Sequence, residues 1–260
     1  MIRLNDISLP LDYNEADLKK AIAKITGCKE SEIHEIKLVK KSVDARKKDN
    51  VHFTVSVETE INNEPRILKK LPPNKATTVI SNEYKFPEPQ KEYRRPVIVG
   101  FGPAGMFAAL SLARAGLNPI VLERGYDCDT RIRTIENFHN LRQLDEKCNV
   151  QFGEGGAGTF SDGKLTTGIK DIRIKYVFRT LVEFGAPREI LYLAKPHIGT
   201  DLLRNVIKNI RNEIIIKMAE KGIACNVHYK PLPMMTAYKN LGFDIKDYPN
   251  AYNQYRNEIT

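Results

Sequence analysis

The sequence has 260 residues, which is long enough for two ordinary domains or one large domain. Hydrophobic residues make up 42% of the chain and charged residues 28%, a globular composition that excludes a mainly disordered protein. Lysine and arginine total 41 against 32 acidic residues, and the resulting net charge of +9 permits nucleic acid or anionic lipid as a partner without requiring either.

The cysteines and histidines are scattered along the chain. The four cysteines show no C-x-x-C spacing and the five histidines form no cluster, which argues against a disulfide framework and against a metal site. Residues 1–11 alternate apolar and polar side chains and contain no signal-peptide core. We therefore expect a cytoplasmic protein with reduced thiols at Cys28, Cys128, Cys148 and Cys225.

The first 70 residues predict a small β-α-β-β module. Apolar positions within residues 2–9 indicate a strand, and Asn14 can cap a helix over residues 15–26. Residues 33–41 indicate a second strand, and strict alternation of apolar and polar side chains over residues 51–58 predicts a third strand with one solvated face.

A basic run lies around the turn between the last two predicted strands and is relieved only by Asp44. Such a run can contact phosphates, or it can be a solvated strand end and hairpin loop. Because no aromatic residues are interleaved with the lysines, the second interpretation is favoured and we expect no specific nucleic-acid partner. The run consists of Lys37, Lys40, Lys41, Arg46, Lys47 and Lys48.

Residues 71–95 contain four prolines and mixed charge, a composition typical of a linker between domains. Residues 96–113 carry no formal charge and approach the lower length limit of a membrane-spanning helix. However, three glycines and Pro103 fall in the first ten of these residues and would break such a helix. The sequence therefore predicts no membrane partner.

The clearest motif is a glycine-rich turn that follows the apolar run 97–99 and precedes a helical pattern ending at Gly116. In a dinucleotide-binding β-α-β unit, the first glycine permits the tight turn and the second lets the backbone approach a pyrophosphate. The third lets the helix pack closely on the strand. The turn reads Gly100-Phe101-Gly102-Pro103-Ala104-Gly105.

An acidic residue stands where such a unit needs one. Residues 119–123 predict the second strand, and Glu123, which ends it, lies 18 residues after Gly105. A carboxylate there can accept hydrogen bonds from ribose hydroxyls and would repel the 2′-phosphate of NADP. Arg124 weakens that exclusion because its positive charge is adjacent.

A second glycine-rich segment holds five glycines within residues 153–163. Backbone this accessible suits close wrapping of a planar or phosphorylated ligand, although composition alone predicts a flexible hinge equally well.

Four stretches of the chain resemble the N-terminal part of a bacterial family of FAD-dependent proteins, flavoprotein dehydrogenases of unsettled substrate. The similar stretches are residues 41–48 (KSVDARKK), 97–123, 153–165 and 196–201 (PHIGTD), and the resemblance covers residues 1 to about 214. It implies FAD as cofactor, NAD(P)H as electron donor in the intact family, and a small-molecule substrate. It names no catalytic residue, and we expect His197 to have a capping or packing role.

The resemblance also implies which residues bind FAD. The ADP half would be held by the first segment and the end of the second strand, at Gly100, Gly102, Pro103, Ala104, Gly105, Glu123 and Arg124. The flavin side would be lined by the second segment, at Gly155, Gly156, Gly158, Thr159, Ser161, Asp162, Gly163 and Lys164.

Residues 215–260 change character and are rich in tyrosine. They resemble part of the C-terminal small domain of PLP-dependent sugar aminotransferases, on the motif Val227-His228-Tyr229-x-Pro231-Leu232. The Schiff-base lysine of that family has no counterpart here. The apolar steps of a helix that Thr200 can cap continue across the seam to Gly222, so periodicity alone does not reveal it.

The sequence thus predicts an α/β protein with a β-α-β-β module over residues 1–70, a linker over 71–95, an incomplete doubly wound Rossmann-like FAD/NAD(P)-binding domain over 96–214, and a foreign segment over 215–260. The leading hypothesis for function is a truncated or fused FAD-binding oxidoreductase with impaired activity. The alternatives are an aminotransferase fragment and a non-enzymatic nucleic-acid-binding protein, and the oligomeric state stays open.

Overall fold

The computed structural model describes residues 1–80, 83–86, 88–89, 94–220, 240, 242 and 244–250. The chain divides into two compact units and is mixed α/β. The first unit contains residues 1–84, 164–182 and 187–197. The second contains residues 85–163, 183–186 and 198–260.

The first unit begins with β1 Ile2–Leu9, α1 Glu15–Thr26, β2 Ile33–Asp44, β3 His52–Ile61, α2 Glu64–Lys70 and β4 Ala76–Thr78. Its strands form a four-stranded antiparallel sheet with strand order β2-β3-β1-β4. The predicted β-α-β-β order is present, and a further short helix and strand follow it. The strand β4 lies within residues 71–95, whose composition predicts a linker, and it pairs with β1.

Local sequence sets the ends of α1 and its buried face. The Asn14 side chain accepts a hydrogen bond from the Asp17 backbone N–H, and the Asp17 carboxylate accepts one from Asn14 N–H, which forms a capping box. Gly27 ends the helix at φ 75°, a left-handed conformation that glycine adopts at little cost. The helix packs on the sheet through a core that includes Ile2, Leu4, Ile7, Leu9, Leu18, Ile22, Val55 and Val57.

The second unit begins with a β-α-β arrangement of β5 Val97–Val99, α3 Pro103–Arg114 and β6 Ile120–Leu122. The two strands pair in parallel, with Val97 opposite Ile120 and Val99 opposite Leu122. The uncharged residues 96–113, which are nearly long enough for a membrane span, are thus divided between β5 and α3. Among the helices of the described part of the chain, none is long and apolar enough to cross a membrane.

Further helices are α4 Cys128–Leu141 and α6 Thr200–Ala219 in the second unit, and α5 Arg173–Glu183, of which residues 173–182 belong to the first unit. Both α3 and α4 contact α6, as does a short 3-10 turn over Gly156–Phe160. The predicted apolar stripe of α6 is buried at Ile207, Ile210, Ile214 and Met218.

The start of α6 differs from the prediction. Gly199, at φ 90°, is the N-cap residue, and Thr200 is the first helical residue. The Thr200 hydroxyl instead donates to the Ser161 carbonyl oxygen at 2.9 Å. The prediction that Thr200 caps the helix is therefore wrong, because its hydroxyl bonds the second glycine-rich segment rather than its own first turn.

The predicted helix end at Gly222 and the Val227–Leu232 motif of the tail lie outside the described residues. Within the described part of the chain, α6 ends at Ala219, and its apolar stripe crosses residue 215 without interruption.

Candidate functional site

The first glycine-rich turn adopts the geometry that its sequence predicts. Gly100 has φ 94°, and its N–H donates to the Leu122 carbonyl oxygen at 2.6 Å, which links the ends of the two parallel strands. A Cβ atom built on Gly105 would lie 1.9 Å from the Gly100 carbonyl oxygen. Only glycine therefore lets α3 approach β5 this closely.

The N-terminus of α3 presents free amides beside open space. Met106 N–H makes the first intrahelical bond, to the Gly102 carbonyl oxygen at 2.9 Å. Pro103 has no N–H, and the amides of Ala104 and Gly105 have no acceptor within the helix because they belong to its first turn. A Cβ atom on Gly102 would have nothing within 4 Å. The arrangement can accept an anionic group, because the helix dipole and the free amides favour negative charge.

Glu123 directly follows β6, which ends at Leu122, one residue earlier than predicted. Its carboxylate already accepts hydrogen bonds from the backbone. One oxygen accepts from Phe101 N–H at 2.6 Å and the other from Gly125 N–H at 2.7 Å. These bonds hold the carboxylate between the first turn and the chain that follows β6. Each carboxylate oxygen has a second lone pair, so both can still accept from a hydroxyl group.

Arg124 is exposed and stacks on an aromatic ring. Its guanidinium carbon lies 4.1 Å from the centre of the Phe152 ring, in cation–π geometry. Phe152 directly precedes the second glycine-rich segment, so Arg124 joins the end of β6 to the start of that segment.

The structure brings the two glycine-rich segments together. Gly155 N–H donates to the Phe101 carbonyl oxygen at 2.9 Å, and a Cβ atom on Gly156 would lie 3.5 Å from the Gly102 Cα atom. A Cβ atom on Gly125 would lie 2.4 Å from the Gly153 Cα atom. Glycine at these positions permits backbone-to-backbone contact. The sequence predicts both segments but not their contact.

The far end of the second segment is bonded to the start of α6. Gly199 N–H donates to the Asp162 carbonyl oxygen at 2.9 Å, and Ile198 N–H donates to the Gly163 carbonyl oxygen at 3.2 Å. Gly163 has φ 64°, and a Cβ atom on it would lie 3.2 Å from Leu203. The side chains of Ser161 and Asp162 are exposed, and Gly158 is half-buried.

Lys164 belongs to the first unit, where its backbone forms an isolated antiparallel bridge with His197. The His197 side chain is exposed.

Sequence reasoning missed Arg131, a fully buried arginine in the first turn of α4. One terminal nitrogen donates to the Glu154 carbonyl oxygen, to the Gly156 carbonyl oxygen at 3.0 Å and to Thr159 Oγ1 at 3.1 Å. The other donates to the Asn149 carbonyl oxygen at 3.3 Å. Burial lowers the pKa of the guanidinium. Nothing in the sequence distinguishes Arg131 from the exposed Arg133 on the same helix.

Glu154 is a further buried charge of the second unit, and it connects the second glycine-rich segment with α4 and α6. Its Oε2 atom accepts from Cys128 N–H at 2.6 Å, at the start of α4, and from Arg211 on α6 at 2.8 Å. Its Oε1 atom is buried without a hydrogen-bond partner in the structure. Burial raises the pKa of the Glu154 carboxyl, while the bonds from Cys128 and Arg211 oppose that shift.

The described cysteines, Cys28, Cys128 and Cys148, belong to no cluster of potential metal ligands. No group of three potential histidine, cysteine or carboxylate ligands is found among the described residues. Burial raises the thiol pKa of Cys128 and of Cys148, which favours the unreactive protonated form. Cys225 lies outside the described residues.

In the first unit, part of the basic run is engaged by its own surroundings. The Lys41 ammonium lies 4.0 Å from the centre of the Phe53 ring and 4.8 Å from that of Tyr13. Arg46 pairs with Asp44 and, through its hydrogen bonds, lowers the pKa of that carboxyl to about 2. These contacts direct two of the six cations toward intramolecular partners.

We expect only weak, salt-sensitive binding of DNA by the basic run. Lys40, Lys47 and Lys48 are exposed. A contact with phosphates alone loses affinity steeply with added salt, because the counterions that the protein displaces from DNA then gain less entropy. A gel-shift titration from about 50 to about 200 mM salt measures this loss. The expectation is contradicted by tight, sequence-dependent binding at physiological salt that the pair of substitutions Lys47→Glu and Lys48→Glu abolishes.

Comparison with known proteins gives two similarities. Residues 1–60 match the family model of a domain of unknown function, DUF8436. An uncharacterized protein of Clostridium beijerinckii is 46% identical over 215 residues, which cover 82% of this chain and 40% of that protein. The chain therefore spans about two fifths of the length of this curated relative. Neither description names an activity.

Proposed function

We propose that the second unit binds the ADP part of FAD and that the chain is an oxidoreductase-type flavoprotein with a Rossmann-like site. The observation that carries this proposal is the convergence of three features. The open backbone at Gly102, the free amides at the start of α3 and the Glu123 carboxylate lie around one β-α-β turn. Their chemistry matches a pyrophosphate and an adjoining ribose.

The residues fit the group that the proposal requires. A methyl group on Gly102 would project into space that no protein atom fills within 4 Å, which is where a pyrophosphate oxygen can approach the backbone. The amides of Ala104 and Gly105 would donate to that oxygen. The Glu123 carboxylate, already fixed by Phe101 and Gly125, would accept from the ribose hydroxyls without further ordering of its side chain.

The bound flavin would supply hydride or electron transfer, and this chain would bind and orient it. The second glycine-rich segment would continue the binding surface beyond the pyrophosphate, since Gly156 lies against Gly102. The exposed Ser161 and Asp162 side chains lie on the same segment and would be available to polar groups of the ligand.

The proposal includes impaired oxidoreductase activity of this chain. Val97 is 56% exposed and Val99 is 83% exposed, although apolar strands of parallel sheets are normally covered on both faces. This open face supports a loosely held flavin. We expect substoichiometric flavin after purification and no oxidation of NAD(P)H above that of free flavin.

An absorption spectrum of the purified protein tests the proposal against both alternatives. A flavoprotein shows the flavin bands, an aminotransferase fragment shows a PLP imine, and a nucleic-acid-binding protein shows neither. Because the flavin is loosely held, the spectrum is repeated during equilibrium titration with FAD, without a separation step. Absence of a saturable change in the flavin spectrum at every protein concentration contradicts the proposal.

Replacing Glu123 by alanine is expected to weaken ADP binding by about 1–3 kcal/mol, because charged hydrogen bonds to the ribose are lost. Calorimetric titration with ADP measures the effect. Glu123 also holds Phe101 and Gly125, so the melting temperature is measured alongside. Glu136, an exposed acid on α4, provides the matched control Glu136→Ala, which should bind as wild type does. An unchanged ADP affinity in Glu123→Ala refutes the ribose role.

A further inference from the structure

The path of the second glycine-rich segment suggests what it does for a ligand. It starts beside the end of β6, where Gly153 contacts Gly125, and it passes the first turn where Gly156 meets Gly102. It then leaves toward the start of α6, where Gly163 lies against Leu203. A ligand held at Glu123 and Gly102 that extends past its pyrophosphate therefore runs along this segment.

A small set of buried bonds fixes that path. Arg131 is fully buried and binds two carbonyl oxygens and the Thr159 hydroxyl of the segment through one terminal nitrogen. The Thr159 hydroxyl in turn donates to the Glu154 carbonyl oxygen at 2.8 Å. The Arg131 guanidinium also lies 4.9 Å from the centre of the Phe160 ring. A planar guanidinium suits this task because its donors are held in a rigid fork.

The crevice at the first turn depends on other groups. Arg131 makes no hydrogen bond to Gly102, to the amides at the start of α3 or to Glu123. It acts on Glu123 through the attraction between the two charges, which Arg131→Lys would keep. The guanidinium thus contributes to the part of the surface that lies beyond the pyrophosphate. Its removal should release the second segment and leave the first turn in place.

We propose that Arg131 is a positioning residue that makes this site selective for a dinucleotide over ADP, by holding the second glycine-rich segment against the first. The inference rests on the proposed function, since it requires that the first turn binds ADP. Binding of a dinucleotide costs less entropy when the segment is already ordered than when the ligand must order it. ADP, which ends at the pyrophosphate, gains little from that order.

The test compares the affinities of ADP and FAD in Arg131→Met, Arg131→Lys and wild type. We expect Arg131→Met to weaken FAD binding by about 10-fold or more and ADP binding by less than about 3-fold, since only FAD uses the ordered segment. Arg131→Lys should recover part of the FAD affinity, because an ammonium can still reach one or two of the three acceptors. Equal losses for both ligands, or an unchanged FAD affinity, would overturn the proposal.

A milder variant covers the case in which Arg131→Met does not fold. Thr159→Val keeps the shape of a fully buried side chain and removes the bond from Arg131 together with the bond that the Thr159 hydroxyl donates to the Glu154 carbonyl oxygen. It should lower the affinity for FAD by about 3-fold or more and leave the affinity for ADP unchanged. The proposal is overturned if Thr159→Val binds FAD as tightly as wild type does. Lys208→Met breaks only the 3.1 Å ion pair with Asp129 and should bind both ligands as wild type does.

The wild-type titration separates the two hypotheses. Wild-type protein that binds neither ADP nor FAD refutes the proposed function and the role of Arg131 with it. Wild-type protein that binds both, with no change in their ratio in the variants, refutes the role of Arg131 alone.

Discussion

Replacing Gly105 by alanine is expected to lower the free energy of unfolding of the second unit by about 3 kcal/mol, the upper range for an overpacked site. The added methyl group would lie 1.9 Å from the Gly100 carbonyl oxygen and 3.4 Å from the Ile98 side chain. The first contact is with backbone and cannot be relieved by a rotamer change, so α3 must move away from β5. Urea denaturation followed by circular dichroism measures the loss.

Gly102 provides the matched control for this substitution. Its φ of −71° suits alanine, and its Cβ position is open, so Gly102→Ala should change the stability by no more than about 0.5 kcal/mol. The two glycines lie in one turn and differ in what a methyl group would meet. Equal stabilities of Gly105→Ala and Gly102→Ala would contradict the close packing of α3 on β5.

Removing the Glu154 side chain is expected to destabilise the second unit by about 2–3 kcal/mol at neutral pH, because one partner of a buried ion pair is lost. Glu154→Ala leaves the Arg211 guanidinium and the Cys128 N–H without their acceptor. The Arg211 side chain is 26% exposed and regains some hydration, which keeps the loss below that of a fully buried pair. Thermal and urea unfolding measure it, and stability within about 0.5 kcal/mol of wild type contradicts it.

The same carboxyl should make stability depend on pH. Burial raises its pKa in the folded state above the ordinary value of 4.5, so the folded protein binds this proton more tightly than the unfolded chain. The corresponding stability is complete below pH 4.5 and is lost as the pH rises through the raised pKa. Cys128, Arg211, Asp127 and Asp129 are the groups that influence it.

Glu154→Gln isolates this contribution. It keeps the volume of the side chain and cannot titrate, so its stability relative to wild type should rise as the pH increases above 4.5. Unfolding curves of both proteins in matched buffers of increasing pH measure the difference. A difference that stays constant, or that falls with pH, contradicts a raised pKa.

Local features of this fold were predictable because local chemistry determines them. The Asn14 cap and the left-handed Gly27 terminate α1 as their sequence predicts. The Gly100–Gly105 turn likewise follows from the residues within it, since the strand before it and the helix after it are both legible in the sequence.

Features that depend on contacts distant in sequence were not predictable. The second glycine-rich segment indicated a ligand loop and a hinge equally well, and only its bonds to Phe101 and Arg131 distinguish an anchored loop. Thr200 has the chemistry of a cap, but the Ser161 carbonyl oxygen competes for its hydroxyl. The strand β4 is three residues long and forms because β1 offers an edge.

Equilibrium titration of wild type and Gly102→Ala with ADP and with FAD tests the central claim most directly. A methyl group on Gly102 occupies the space proposed for a pyrophosphate oxygen and contacts no protein atom within 4 Å. We predict saturable binding of both ligands to wild type, competition between them, and affinity lowered by about 10-fold or more in a Gly102→Ala protein of unchanged stability. Equal affinities in the two proteins, or no saturable binding to wild type, would contradict a dinucleotide site at this turn.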